Sequence, residues 1–321
     1  MKDIELKYTI TYDDALRFAE EGFTPIECSF GNKSVTAYGG LDHHGDVKHL
    51  PPVCLQALER IENEQADVSS RFVVTGSADA DACFAILALS GKLNDMESEK
   101  RLALAEAIAH VDLDPIRYSP GIVIKEEASE EKVHAYESIL LFNYKTKGIA
   151  RGEEGFHAAL DVMEDIAFER FSRQDYEEAI RSNEERIKLA ETGIIAVGEG
   201  AVFASSPAWG FDVWYQKADT VMAYVEKTKA VTFGVVSKEV AQERYGEGGL
   251  SFLFDRLNEE GVLGGGFGGR ESVGGSPRGV QIELGEALEL FEKVDALCVD
   301  RTNQIAQEKR LAATEDRDHD R

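Results

Sequence analysis

The chain has 321 residues, 43% of them hydrophobic and 30% charged, the profile of a folded protein with a sizeable core. Its 60 acidic and 35 basic residues leave a formal charge of −25, which repels nucleic-acid backbones and anionic membranes and disfavours a long polynucleotide ligand. A small anion remains admissible, because a bound cation or local arginines can reverse the field inside a cleft.

In chain order, Thr11 or Asp13 caps a helix through Ala15, Leu16, Phe18 and Ala19, which Gly22 ends. Two strands are predicted next, Thr24–Phe30 and Ser34–Tyr38, the second delivering Gly40-Leu41-Asp42-His43-His44-Gly45-Asp46 at its end. Pro51-Pro52 opens a helix through Cys54, Leu55, Ala57 and Leu58. Arg71–Gly76 reads as a short strand, Ser77–Ala82 as a turn bearing Asp79 and Asp81, and Cys83–Leu89 as an apolar helix. Such strand–turn–helix units are where α/β proteins build sites. A helix from about Glu97 to Ile108 empties into His110-Val111-Asp112-Leu113-Asp114-Pro115.

Residues 127–190 are mostly helical in pattern, with a long charged helix over 174–191. Four strand candidates then follow in under fifty residues, at 193–197, 201–204, 220–225 and 230–236. A glycine-rich loop, 264–279, precedes a final strand and helix over 280–294, and the last ten residues read as a disordered polar tail. The expected organisation is α/β with two domains: a parallel-sheet domain with helices over 1–190 and a smaller mixed α/β domain over 191–300. A cleft lies between them, and a polar tail covers 301–321. Cys28, Cys54, Cys83 and Cys298 form no CxxC pair, which argues against a zinc ribbon or thioredoxin-type site. Met1–Glu5 lacks a signal-peptide core and no run approaches a membrane span, so a cytoplasmic protein without membrane attachment is expected.

Three acidic and histidine-bearing junctions carry the candidate chemistry: Asp42, His43, His44 and Asp46; Asp79 and Asp81; and His110, Asp112 and Asp114. Mixed carboxylate and imidazole donors suit Mn²⁺, Fe²⁺ or Zn²⁺, and paired ions form a phosphoester-cleaving clamp. Eight of the sixteen residues at 264–279 are glycine, with Arg270 and Arg278 interleaved, a pattern suited to binding phosphate or carboxylate through backbone N–H groups and guanidinium forks. Gly268, Gly269, Arg270, Gly274, Gly275, Ser276 and Arg278 are the candidate contacts. Trp209 and Trp214 form either a stacking wall for a ring or, more simply, an apolar anchor for the second domain.

Together these residues resemble the DHH phosphoesterase superfamily. Asp42-His43-His44 matches its name motif. Ser77-Ala78-Asp79-Ala80-Asp81-Ala82 looks like its His-x-Asp-x-Asp-Gly segment, with Ser77 and Ala82 replacing the family's histidine and glycine, and the two motifs stand in reversed order. The 264–279 loop is similar to the substrate loop of the DHH-associated C-terminal domain. The resemblance implies two Mn²⁺ ions, with Mg²⁺, Fe²⁺ or Zn²⁺ as alternatives. It implies Asp42, His43, Asp79, Asp81, His110 and Asp112 as metal residues, and His43 and His44 as catalytic ones. The implied activity is metal-assisted hydrolysis of a small phosphorylated substrate (a nucleotide, a short oligonucleotide or a pyrophosphate-like compound), and a homodimer is left open. The alternative is a non-catalytic nucleotide- or phosphate-binding protein of the same architecture.

Overall fold

A computed structural model describes residues 3–31, 33–63, 69–126, 129–277 and 279–319. The chain divides into two compact units, Met1–Asn183 and Glu184–Arg321. The first contains β1 (Glu5–Tyr8), α1 (Tyr12–Glu20), β2 (Thr24–Ile26), β3 (Ser29–Phe30), β4 (Lys33–Ser34), α2 (Val53–Glu62), β5 (Arg71–Val74) and α3 (Ala80–Leu89). It continues with α4 (Ser98–Leu113), α5 (Pro120–Glu126), α6 (Glu130–Lys145) and α7 (Glu153–Ala167), and the boundary between the units falls inside α8 (Arg173–Thr192).

Strands β1, β5 and β2 form a parallel sheet in the order β1-β5-β2. Alternation along β5 covers both faces: Phe72 and Val74 enter the large core with α2, α3, α4, α6 and α7, while Val73 meets Ala15, Ala19 and Phe23 under α1. Every residue of α3 from Asp81 to Leu89 is buried, so this helix is the centre of the unit.

The predicted strand over 34–38 does not form beyond Ser34. Tyr38 turns into the left-handed region at φ 58°, and a 3₁₀ turn covers Ala37–Gly39. Gly40 then runs so close to its neighbours that a Cβ there would lie 2.4 Å from the Val35 carbonyl oxygen. That approach lets Leu41 bridge in parallel to Ile26, with Leu41 N–H donating to the Pro25 carbonyl and Glu27 N–H donating to that of Leu41. Asp42 is thus delivered beside the end of β2. The helix expected to stop near Ile108 also continues, to Leu113.

The second unit contains β6 (Ile194–Val197), β7 (Val202–Ser205), α9 (Phe211–Trp214), β8 (Thr220–Val225), β9 (Ala230–Val235), α10 (Lys238–Tyr245) and α11 (Ser251–Glu259). It ends with β10 (Gly268–Gly269), β11 (Val273–Gly275) and α12 (Leu284–His319). Its six-stranded sheet runs β10-β11-β9-β8-β7-β6, antiparallel except for the β7–β8 pair. Phe203, Met222 and Phe233 pack against α10, α11 and α12, whereas Val202, Val221 and Ala223 face Trp214 and Ala190.

Two expectations change here. No strand forms over residues 280–283, and the backbone of the expected tail is helical to His319 as part of α12. Trp214 is buried and its Nε1–H donates to the Ala190 carbonyl. Arg186 donates a bidentate pair to Asp212 and lies over the Trp209 ring, an arrangement that suits the anchoring reading of this stretch.

Candidate metal centre

In a parallel sheet the C-terminal ends of the strands share one edge, and the turns that leave them meet there. Glu27 directly follows β2, Asp42-His43-His44 follows the bridge at Leu41, and Asp79 and Asp81 open α3 after β5. Asp112 comes from the last turn of α4.

These four segments converge on His43. Its Nε2 lies 3.2 Å from Glu27 Oε1, 3.1 Å from Asp112 Oδ2 and 3.5 Å from Asp81 Oδ2. The side chains of His43, Glu27 and Asp81 are nearly inaccessible to solvent, and that of Asp112 is 26% exposed. Donor atoms of His43, Asp81 and Asp112 all fall within 4.8 Å of one another, and so do those of Glu27, His43 and His44.

One imidazole nitrogen donates one hydrogen bond, so His43 Nε2 cannot satisfy three carboxylates. A divalent cation can. With metal–donor bonds of about 2.1 Å, adjacent donors sit roughly 3 Å apart. The spacing and the oxygen-rich donor set therefore fit Mn²⁺, Mg²⁺, Fe²⁺ or Zn²⁺ without selecting among them.

The other residues of the motif orient this group. Asp42 is fully buried and accepts hydrogen bonds from Ser29 Oγ, the His44 N–H and, at 3.2 Å, His44 Nδ1. His44 is half exposed and its ring lies 4.2 Å from that of His43. Asp81 spends both oxygens on the start of α2, accepting from the Val53 and Cys54 N–H groups at 2.9 and 2.8 Å. Asp79 caps α3 by accepting from the Ala82 N–H and also interacts with the Glu27 carboxyl. Asp46 accepts from the Ser34 N–H.

Crowded carboxylates shift one another. Burial pushes Glu27 well above its ordinary range, and repulsion from Asp79, Asp81, Asp112 and Asp42 adds to this. Burial raises Asp81 to about 6 despite its hydrogen bonds from Cys54. Burial also raises Asp79 and Asp112. Burial acts the same way on Asp42, but hydrogen bonds from His44 and Ser29 outweigh it and hold Asp42 low. The bond to Asp42 in turn raises His44.

His110 lies apart from this convergence. It is two residues from Asp112 on a continuous helix, so the two side chains leave α4 about 200° apart. The ring of His110 stacks on Tyr118 at 4.5 Å, and its Nδ1 lies 3.2 Å from Tyr136 Oη. Conversely, Glu27 was not among the residues expected from sequence. Its signal was present, an acidic residue placed directly after an apolar strand. Glu27 sits at φ 52°, a strained conformation for a residue other than glycine.

The glycine-rich loop folds as a hairpin of β10 and β11 on the edge of the second sheet, with Arg270 exposed at its tip. Asn258 fastens its start by accepting from the Gly266 and Phe267 N–H groups, and Ser276 Oγ accepts from the Val231 N–H. A Cβ on Gly274 would lie 2.3 Å from the Phe254 ring, and one on Gly269 would lie 2.3 Å from the Gly274 backbone. Close packing therefore accounts for these two glycines, whereas a Cβ on Gly268 would meet open space. Gly275 pairs with Thr232. Arg278 lies outside the described residues.

No protein-family model and no curated protein matches the chain. Among solved structures, an uncharacterized protein from Helicobacter pylori G27 is similar at 11% identity and a TM-score of 0.20. The alignment covers 92% of this chain and 99% of that one, and a likeness this low carries no argument. Among the described residues no helix is long and apolar enough to cross a membrane.

Proposed function

We propose that the chain is a divalent-metal-dependent phosphoesterase of the DHH type, acting on a small phosphorylated substrate such as a nucleotide, a short oligonucleotide or a pyrophosphate-like compound. The observation that carries this reading is the approach of Glu27, Asp81 and Asp112 to the single Nε2 of His43. In this reading His43, Asp81 and Asp112 would hold one Mn²⁺, and the Glu27 carboxylate would serve a second. Mg²⁺, Fe²⁺ and Zn²⁺ are the alternatives.

A bound ion of this kind supplies Lewis-acid activation of water and of phosphoryl oxygens. The chain's own part is positioning and proton transfer. Asp42 orients His44 through Nδ1 and favours its protonated form, so that His44, half exposed, can give a proton to the departing oxygen. Arg270, exposed at the tip of the β10–β11 hairpin, and the neighbouring Gly268 would contact the substrate's phosphate oxygens in this reading. The protein is cytoplasmic in this reading, and either a monomer or a homodimer is compatible with it.

The test is metal content and hydrolysis measured together. Protein purified without chelator should retain divalent metal and hydrolyse at least one member of a panel of nucleotides, cyclic dinucleotides, bisphosphates and pyrophosphate. His43→Ala and Asp112→Asn should lose both properties and keep a native circular-dichroism spectrum. Asp112 is chosen over Asp81 because Asp81 also caps α2. Full metal content and activity in His43→Ala would overturn the proposal.

A further inference from the structure

The first turn of α2 holds two of the segments that meet at the carboxylate–histidine centre. Its Val53 and Cys54 N–H groups grip the Asp81 carboxylate. Gln56, one turn along the helix and half-buried, reaches back to the other segment. Its Nε2 donates to the Asp42 carbonyl at 2.9 Å and to the Pro51 carbonyl at 2.6 Å. The Asp42 carbonyl belongs to the peptide that joins Asp42 to His43.

The chemistry of this contact admits one orientation. Both partners are carbonyl oxygens, which only accept, so the NH₂ end of the amide faces them and spends its two protons there. A carboxylate in the same place would have no proton to give. Ser29 Oγ and the His44 N–H hold the Asp42 carboxylate, but among the described residues no donor other than Gln56 reaches the Asp42 carbonyl. The contact bears on one distance. His43 Nε2 lies 3.5 Å from Asp81 Oδ2, and the two residues come from separate segments, each tied to the start of α2. Glu27 follows β2 and Asp112 ends α4, and Gln56 bonds to neither.

From this geometry we propose that Gln56 is a positioning residue of the metal centre. It fixes the peptide before His43 against the helix that grips Asp81, and so sets how these two residues share an ion that Gln56 itself does not touch. Partners of this kind hold ligands in place, and removing one commonly weakens metal binding by roughly tenfold to a hundredfold. The inference rests on the metal reading of the centre and is independent of which bond is hydrolysed there.

The full chain is stripped with chelator, and Mn²⁺ and Co²⁺ are titrated separately into the wild type, Gln56→Met and His43→Ala. Calorimetry reads affinity, and visible absorption reads the coordination of Co²⁺. Methionine keeps an unbranched side chain and removes both donors. Gln56→Met should keep a native circular-dichroism spectrum, bind Mn²⁺ roughly tenfold more weakly than the wild type and show a shifted absorption band at saturating Co²⁺. A loss of stability alone would leave the band of the saturated protein where it was. Gln56→Leu, a second donor-free variant, should behave alike, so that a folding fault peculiar to one substitution does not decide the result. Wild-type affinity or an unshifted band in these variants, with His43→Ala losing the ion, overturns the inference and leaves the metal reading standing. A wild type that binds Mn²⁺ no better than His43→Ala overturns both.

Discussion

Glu27 and Asp81 carry opposing duties, because the charge that would hold a cation destabilises the protein without one. Glu27 is almost enclosed and faces several like charges. Glu27→Gln should therefore stabilise the chelated protein by about 1 kcal/mol near neutral pH, while weakening Mn²⁺ binding by roughly tenfold or more. Melting with EDTA and calorimetry with Mn²⁺ read the two effects, and a variant less stable in EDTA would show that like-charge crowding at Glu27 is unimportant.

Asp81 gives the same logic a pH axis. Its folded pKa, about 6, lies above its ordinary value of 3.8, so the folded state binds the proton more tightly than the unfolded state does. The wild type should thus lose stability relative to Asp81→Asn as pH rises from about 4 through 6, by an amount on the order of 2 kcal/mol. The variant has its own constant cost from the Val53 and Cys54 donors, but that cost does not follow pH. Saturating divalent metal should flatten the difference. A stability difference independent of pH in EDTA would contradict the assignment.

At the scale of elements, the β10–β11 hairpin separates glycines required for packing from one that is not. Gly274→Ala would drive a methyl group into the Phe254 ring and the Gly268 carbonyl, at a cost of about 2 kcal/mol in chemical denaturation. Gly268→Ala, with nothing near its Cβ, should cost less than about 0.5 kcal/mol, and equal effects at both positions would refute this account. The element scale also explains His110. The sequence has Pro115 shortly after it, which suggested a helix ending early. Helical hydrogen bonding instead persists to Leu113, and the periodicity of 3.6 turns His110 away from Asp112.

Across the whole molecule the charge of −25 is the dominant sequence property. Self-repulsion of this size weakens the compact state most at low ionic strength, since the Debye length falls from about 30 Å at 0.01 M to about 3 Å at 1 M salt. The melting temperature in EDTA should rise by several degrees between about 0.05 and 1 M sodium chloride, and a flat or falling profile would show that surface repulsion is not a controlling factor.

The sequence by itself was enough for the local features. The cap of α1 was legible as Thr11 or Asp13, of which the structure uses Thr11; Asp79 and Asp81 were legible as the opening of a buried helix after a strand, and four strands of the second unit by their apolar runs. Each depends on residues a few positions apart, through capping, periodicity or β-branching, which a linear reading can see. Only the tertiary structure decided which donors meet. Glu27 joins His43 because Gly40 lets Leu41 pair alongside β2, and Asp112 reaches the same point because α4 packs across the core. His110, nearer in sequence to Asp112 than either, faces a different pocket. Convergence of side chains is set by strand order, helix phase and close backbone approach, and these follow from long-range packing that no short stretch of sequence contains.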